Sequence, residues 1–253
     1  MKKQQLFFVS LLMLISISTF AQTPYSDLSM TLIDAARNDK PYDDLLEKLV
    51  NVNEDVLAKE LKTDDQKKAF WMNIYNAHIQ FFLKKNPDFY KDRNAFFHDE
   101  MITVAGKKLS FDDIEHGIIR RSKSKLSLGF LPSLRVDAYE KKFRTKKVDG
   151  RVHFALNCGA KSCPAVAAYD YKKLDEQMDA STKIHLKGTT TYDKKTNTAN
   201  ITRLFSWFRG DFGNKKKVIK FLKKYEAIPN DITPSINYNV YDWTLWIDNY
   251  IDL

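Results

Sequence analysis

Residues 64–85 read DDQKKAFWMNIYNAHIQFFLKK, and this stretch decides the fold. Asp64 is placed to cap a helix, Phe70, Trp71, Ile74, Phe81 and Phe82 run along it, and Asn86-Pro87 ends it. Asn73, Asn76 and Gln80 stand at i, i+3 and i+7, a polar stripe on a helix otherwise crowded with aromatics. Two readings are open. The stripe faces water, or its amides are buried and hold neighbouring backbone or line a polar site, because a buried amide must be hydrogen-bonded.

Upstream, Tyr25 to Leu61 has helical spacing through Leu28, Leu32 and Ala35, then Leu45, Leu46 and Leu49, with Pro41 dividing two helices. Farther back, Lys2 and Lys3 precede an apolar and small-residue stretch from Leu6 to Phe20, and Thr19-Phe20-Ala21 suits signal peptidase. The stretch is short for a membrane span and is diluted by Ser10, Ser16 and Ser18. The expected organisation is a signal peptide over 1–21, a helical extension over 22–62 and a core domain over 63–253. The expected location is exported, periplasmic or extracellular, with no integral membrane segment after processing.

Downstream, Ile102 to Val104 and Lys108-Leu109 flank a turn at Ala105-Gly106, and Ser110 opens a helix in a near capping box with Asp113. Val152 to Asn157 alternates like a strand. Leu174 to Leu186 is a helix, Thr189 to Ile201 a hairpin, Lys216 to Tyr225 a basic helix and Asn237 to Trp243 a last strand. Helices and strands mix without βαβ alternation. The predicted class is α+β: one mixed domain with a helical N-terminal part and a small, largely antiparallel sheet.

The chain has 41 Lys and Arg against 32 Asp and Glu, a net charge of +9, or +7 without Lys2 and Lys3. The basic pairs, such as Arg120-Arg121 and Lys223-Lys224, are spread among apolar residues and read as solvated helix faces. They are not gathered with stacking aromatics, so nucleic acid is not an expected partner. A small molecule or peptide is. No cofactor is expected, and two cysteines with the histidines match no standard zinc spacing.

Cys163 precedes Pro164 where a short helix is predicted to begin, and Lys161 is near. A helix N-terminus and a cation both favour a thiolate. A disulfide with Cys158, a buried inert thiol and an anion-binding loop are the competing readings. His116 follows Asp112 by one turn and Asp113 by three residues, either of which can orient an imidazole. On a strand, His153 and Cys158 would lie on opposite faces and roughly 16 Å apart, which leaves His116 as the base able to approach the sulfur.

The segments Phe70 to Ala77, Asp112 to Gly117 and His153 to Pro164, extended by Phe205-Ser206-Trp207, Asp211-Phe212 and Tyr241-Asp242-Trp243, resemble the family called domain of unknown function number 547. The resemblance runs from about Asp64 to Trp246. It implies that Asn76, His116, His153, Cys158 and Cys163 are marked positions, and it carries no activity. Trp246 stands where the family's last block continues with asparagine, so no role passes to that position.

Two functions follow as expectations. One is a thiol-dependent acyl transferase or hydrolase acting on an amide or thioester. In it Cys163 attacks, His116 is the base, and amides around Gly159 to Ser162 hold the oxyanion. Cys158 and His153 complete that catalytic group, and Asn73, Asn76 and Lys161 contact substrate. The other is a non-catalytic extracytoplasmic binding domain with a structural Cys158–Cys163 disulfide.

Overall fold

The computed structural model describes residues 24–253. The expected signal peptide over 1–21 lies outside them. Helix α4 (Asp64–Lys85) is the central pillar. Its cap is Thr63 rather than Asp64: the Thr63 hydroxyl accepts from the Gln66 amide, and the Gln66 side chain accepts from the Thr63 amide in return. The helix is buried on nearly every face, its polar stripe included. Helix α1 (Tyr25–Arg37) lies along it, and α2 (Asp43–Asn51) and α3 (Glu54–Glu60) follow. These N-terminal helices share one continuous core with the rest, through Leu32, Leu49 and Leu57.

All three stripe amides are buried, and each grips backbone. The Asn73 amide donates to Tyr169 O at 2.9 Å, and its oxygen accepts from Tyr169 N at 2.9 Å. Asn76 donates to Ala155 O at 2.9 Å and accepts from Asn157 N at 2.8 Å. Gln80 accepts from Asp248 N at 3.0 Å. The stripe thus fixes three distant loops against α4.

After α5 (Arg93–His98), strands β1 (Ile102–Val104) and β2 (Lys107–Leu109) pair antiparallel around Ala105-Gly106, both with positive φ, as a tight hairpin turn demands. Ser110 and Asp113 then bond reciprocally, each side chain to the other's backbone N–H, and open a π-helix over Asp113–Ile119. Past α6 (Ala138–Phe143), the predicted strand at Val152 to Asn157 is absent. Gly150–Phe154 instead turns as a 3-10 helix, because Asp149 caps it through the Arg151 amide and Val152 O takes the Ala155 amide. Its alternation reflects burial on all sides, since Val152 to Asn157 are all buried.

Helix α7 (Leu174–Thr189) packs on this segment and on α4. Strands β3 (Thr191–Asp193) and β4 (Thr198–Ile201) form the expected antiparallel hairpin. Short helices α8 (Leu204–Trp207) and α9 (Arg209–Phe212) and the basic α10 (Lys215–Lys224) come next, and β5 (Ser235–Tyr238) joins β4 in parallel. The last strand is therefore earlier and shorter than Asn237 to Trp243. From Asn239 the chain leaves the sheet to run beside the 159–166 loop, where Lys161 N–H donates to Thr244 O and Trp246 N–H to Gly159 O, both at 2.8 Å. The class is α+β, with a two-stranded antiparallel sheet and a mixed three-stranded one. No helix of the described residues is long and apolar enough to cross a membrane.

Candidate functional site

The π-helix, the 150–164 segment, α8 and the C-terminal run converge on a cavity of about 330 Å³. Bonding from i to i+5, as from Arg120 N–H to Glu115 O at 2.9 Å, widens the turn. It sets Asp112, His116 and Arg120 in one column along the cavity wall. The His116 Nδ1 lies 2.7 Å from an Arg120 nitrogen, and its Nε2 lies 3.4 Å from Asp112. A guanidinium donates and never accepts, so Nδ1 accepts and the ring proton sits on Nε2, toward Asp112. The same reasoning removes the 3.7 Å Glu115–Nδ1 contact as an ion pair.

Behind this column lies a buried charge cluster. Arg120 Nε donates to Asp211 Oδ2 at 2.6 Å, and His153 Nε2 meets the same oxygen at 2.8 Å. The side chains of Arg120 and Asp211 are 1% and 0% exposed. Burial pushes the Asp211 carboxyl up, but bonds from His153 and Arg120 outweigh it and hold the group below its usual range. Burial, helped by the Arg120 charge, pushes His153 down. The Phe208 ring stacks on His153 with centroids 3.6 Å apart and lies 4.6 Å from the Arg120 guanidinium. The Arg120-Arg121 pair therefore splits: Arg121 is exposed and Arg120 is core. Asp112 is held down to about 2, because bonds to His116 and Lys125 outweigh its burial.

The opposite wall is sulfur and aromatics. Cys158 and Cys163 form a disulfide. The Tyr241 hydroxyl lies 3.0 Å from Cys163 Sγ and 3.4 Å from Cys158 Sγ, and Cys158 N–H donates to Cys163 Sγ at 3.0 Å. Burial pushes the Tyr241 phenol up, so it stays protonated. Trp207, Tyr241 and Trp243 cluster with ring centroids 4.7–5.6 Å apart.

Several expectations are corrected here. A bonded sulfur has no thiolate, so Cys163 in this state cannot be the nucleophile. Its surroundings are not a helix N-terminus, since no helix starts at Pro164. The oxyanion cradle is also occupied: the amides of Gly159, Lys161 and Ser162 donate to Asn157 Oδ1, Thr244 O and Asp242 O. No hydrogen bond among the described residues joins His116 to either sulfur. The 16 Å separation of His153 and Cys158 rested on a strand that does not form, and both residues line this cavity. Asn73 and Asn76 are spent on backbone and do not line it. Lys161 is exposed, 3.8 Å from Asp242, and also off the cavity wall. His116, His153, Cys158 and Cys163 are brought together.

Tyr75, Glu115, Arg120, Phe208 and Asp211 are members that reasoning on single residues passed over. Asp211, Trp207 and Tyr241 stood within the blocks that carried the family resemblance. Arg120 carried no such signal, because a buried arginine reads like a surface one until its partner is known.

The family described as "Protein of unknown function, DUF547" matches residues 58–186, about half the chain, and the protein belongs to it. The match spans α4, the π-helix and the disulfide loop and stops before Asp211 and Tyr241. Searches of curated proteins and of solved structures returned no match.

Proposed function

We propose that this chain is a binding domain for a small molecule or peptide with an apolar or aromatic body and a hydrogen-bond-donating end, held in the disulfide-walled cavity. The observation that carries the reading is the cavity's make-up. Its wall is aromatic and disulfide on one side, and its polar end holds one carboxylate, Glu115, that pairs with no Lys or Arg among the described residues. Asp112 is offset by Lys125 at 2.9 Å and Arg120 by Asp211. Glu115 has Tyr75 Oη at 3.5 Å and His116 Nδ1 at 3.7 Å, a nitrogen that accepts from Arg120. A ligand donor or ammonium complements that carboxylate, and the rings of Trp207, Tyr241 and Trp243 suit a flat apolar body. The bonded sulfurs favour binding over thiol catalysis.

The test is isothermal titration calorimetry with tryptamine and indole-3-propionate, which differ mainly in the sign of the end group. Tryptamine is expected to bind more tightly, Glu115→Gln to narrow the difference, and Trp207→Ala to weaken both. Saturation that ignores Trp207→Ala, or preference for the acid, overturns the reading. We further propose that the domain works outside the cytoplasm, in a periplasmic or extracellular setting. The charged, apolar and small-residue order of residues 2–21 supports this. So does the disulfide, which persists in oxidising compartments. Intact mass of exported protein should show a chain starting at Gln22, and a mature species retaining Met1 sinks the idea.

A further inference from the structure

The loop that follows the π-helix exposes an apolar cluster the cavity does not account for. Between Arg121 and Val136 the chain holds no Asp or Glu. The excursion is pinned along its length: Lys123 pairs with Pro132, Ser124 N–H donates to Leu131 O, and Ser133 N–H donates to Ser122 O. Its far side is held by Gly210 N–H donating to Leu128 O. Although the backbone is held, its large side chains face water. Leu134 is 100% exposed, Leu131 64% and Phe130 59%, and none of the three lines the cavity. Neighbouring apolar side chains left in solvent on a fixed scaffold mark a contact surface.

Charge selects the occupant. Arg121, Arg135 and Arg209 are exposed and Lys123 is half-buried. Arg120 and Lys125 have Asp211 and Asp112 as partners. Among the described residues, no carboxylate pairs with Arg121, Lys123, Arg135 or Arg209. Phe130 and Leu131 belong to the turn of the excursion, while Arg121, Lys123 and Arg135 flank its paired ends. Apolar side chains beyond unpaired cations match the layering of an anionic bilayer surface, where phosphates overlie hydrocarbon.

We propose that this loop docks the protein on an anionic lipid surface, with Phe130 and Leu131 entering the boundary between headgroups and acyl chains while Arg121, Lys123, Arg135 and Arg209 face lipid phosphates. The docking is independent of what the cavity binds.

The chain from Gln22 carries the whole described core and lacks the apolar Leu6–Phe20 stretch, so it is the form to test. It is incubated with vesicles of phosphatidylcholine alone and with added phosphatidylglycerol, then sedimented. It should bind the anionic vesicles, and raised salt should weaken the binding. Phe130→Ser/Leu131→Ser should lower the partition coefficient at least about tenfold, since most of the inserted area is lost. Arg121→Gln/Lys123→Gln should weaken binding to anionic vesicles and leave any binding to neutral ones unchanged. Phe130, Leu131 and Arg121 are exposed and Lys123 is half-buried, so thermal unfolding of each variant should stay close to wild type, which excludes misfolding. Absent binding, or equal binding by the serine variant, overturns the proposal. So does self-association without lipid that the serine variant abolishes, which would make the patch an interface between copies.

Discussion

Asp211→Asn isolates what the buried charge cluster contributes. The substitution keeps shape and removes one charge. The Asp211 carboxylate is fully buried, and one oxygen serves both Arg120 at 2.6 Å and His153 at 2.8 Å. Its loss leaves the Arg120 guanidinium, 1% exposed and with Nη2 already unpartnered, as a charge without a counter-ion. Breaking one side of a buried pair costs about 3–5 kcal/mol. That is a fifth or more of the stability of an ordinary domain, roughly 5–15 kcal/mol. In a chain of this size it should lower the melting temperature by on the order of 10 °C. The assay is urea unfolding of Asp211→Asn, Arg120→Met and the double variant. The singles should each lose heavily, and the double should lose less than their sum, since it strands no charge. Single losses below about 1 kcal/mol, or strict additivity, would refute the view that these groups stabilise one another as a unit.

Acid should weaken the fold through buried histidines. Burial holds His78 and His185 down to about 4. The unfolded chain therefore takes up their protons first, and stability should fall as pH drops from about 6.5 toward 4, by up to roughly 3 kcal/mol for one such group. Unfolding curves at stepped pH test this, and a flat profile in that window, or one unchanged in His185→Leu, sinks it. Reducing the disulfide, or Cys163→Ser, should cost about 2 kcal/mol from the short closed loop, with five residues of separation; an unchanged melting temperature under reductant counts against a bracing role. Asn76→Leu strands Ala155 O and the Asn157 amide and should lose at least about 1–3 kcal/mol. Asn73→Leu should lose comparably, and neutrality in both would return the stripe to the surface. Gly210→Ala should destabilise more than Gly188→Ala. A Cβ at Gly210 would lie 2.2 Å from the Gly129 carbonyl carbon, whereas nothing lies within 4 Å at Gly188. Equal melting temperatures would deny the close approach.

Local information in the chain determined the class and most helices. The 3.6-residue spacing of α4 and α7, the breaks at Pro41 and Asn86-Pro87, and the Ser110–Asp113 box are all short-range signals, and they survive folding because nothing distant opposes them. The stripe on α4 was legible as a choice. Its outcome depended on whether residues 155, 157, 169 and 248 arrive there, which no spacing along the helix encodes. The segment from Val152 to Asn157 failed for a related reason. Burial on every side imitates strand alternation, whereas the short helix is set by the Asp149 cap and the turn it opens. At the site, the sequence determined which residues are chemically able: His116, His153 and two cysteines. Only tertiary structure decided their states. The C-terminal run brings Tyr241 onto the sulfurs and occupies the loop amides with its own carbonyls. Helix α9 brings Asp211 to Arg120 and His153. Those partners lie 58 to 91 positions away in sequence. Protonation, hydrogen bonding and charge compensation depend on distances of a few ångströms, which chain order does not specify.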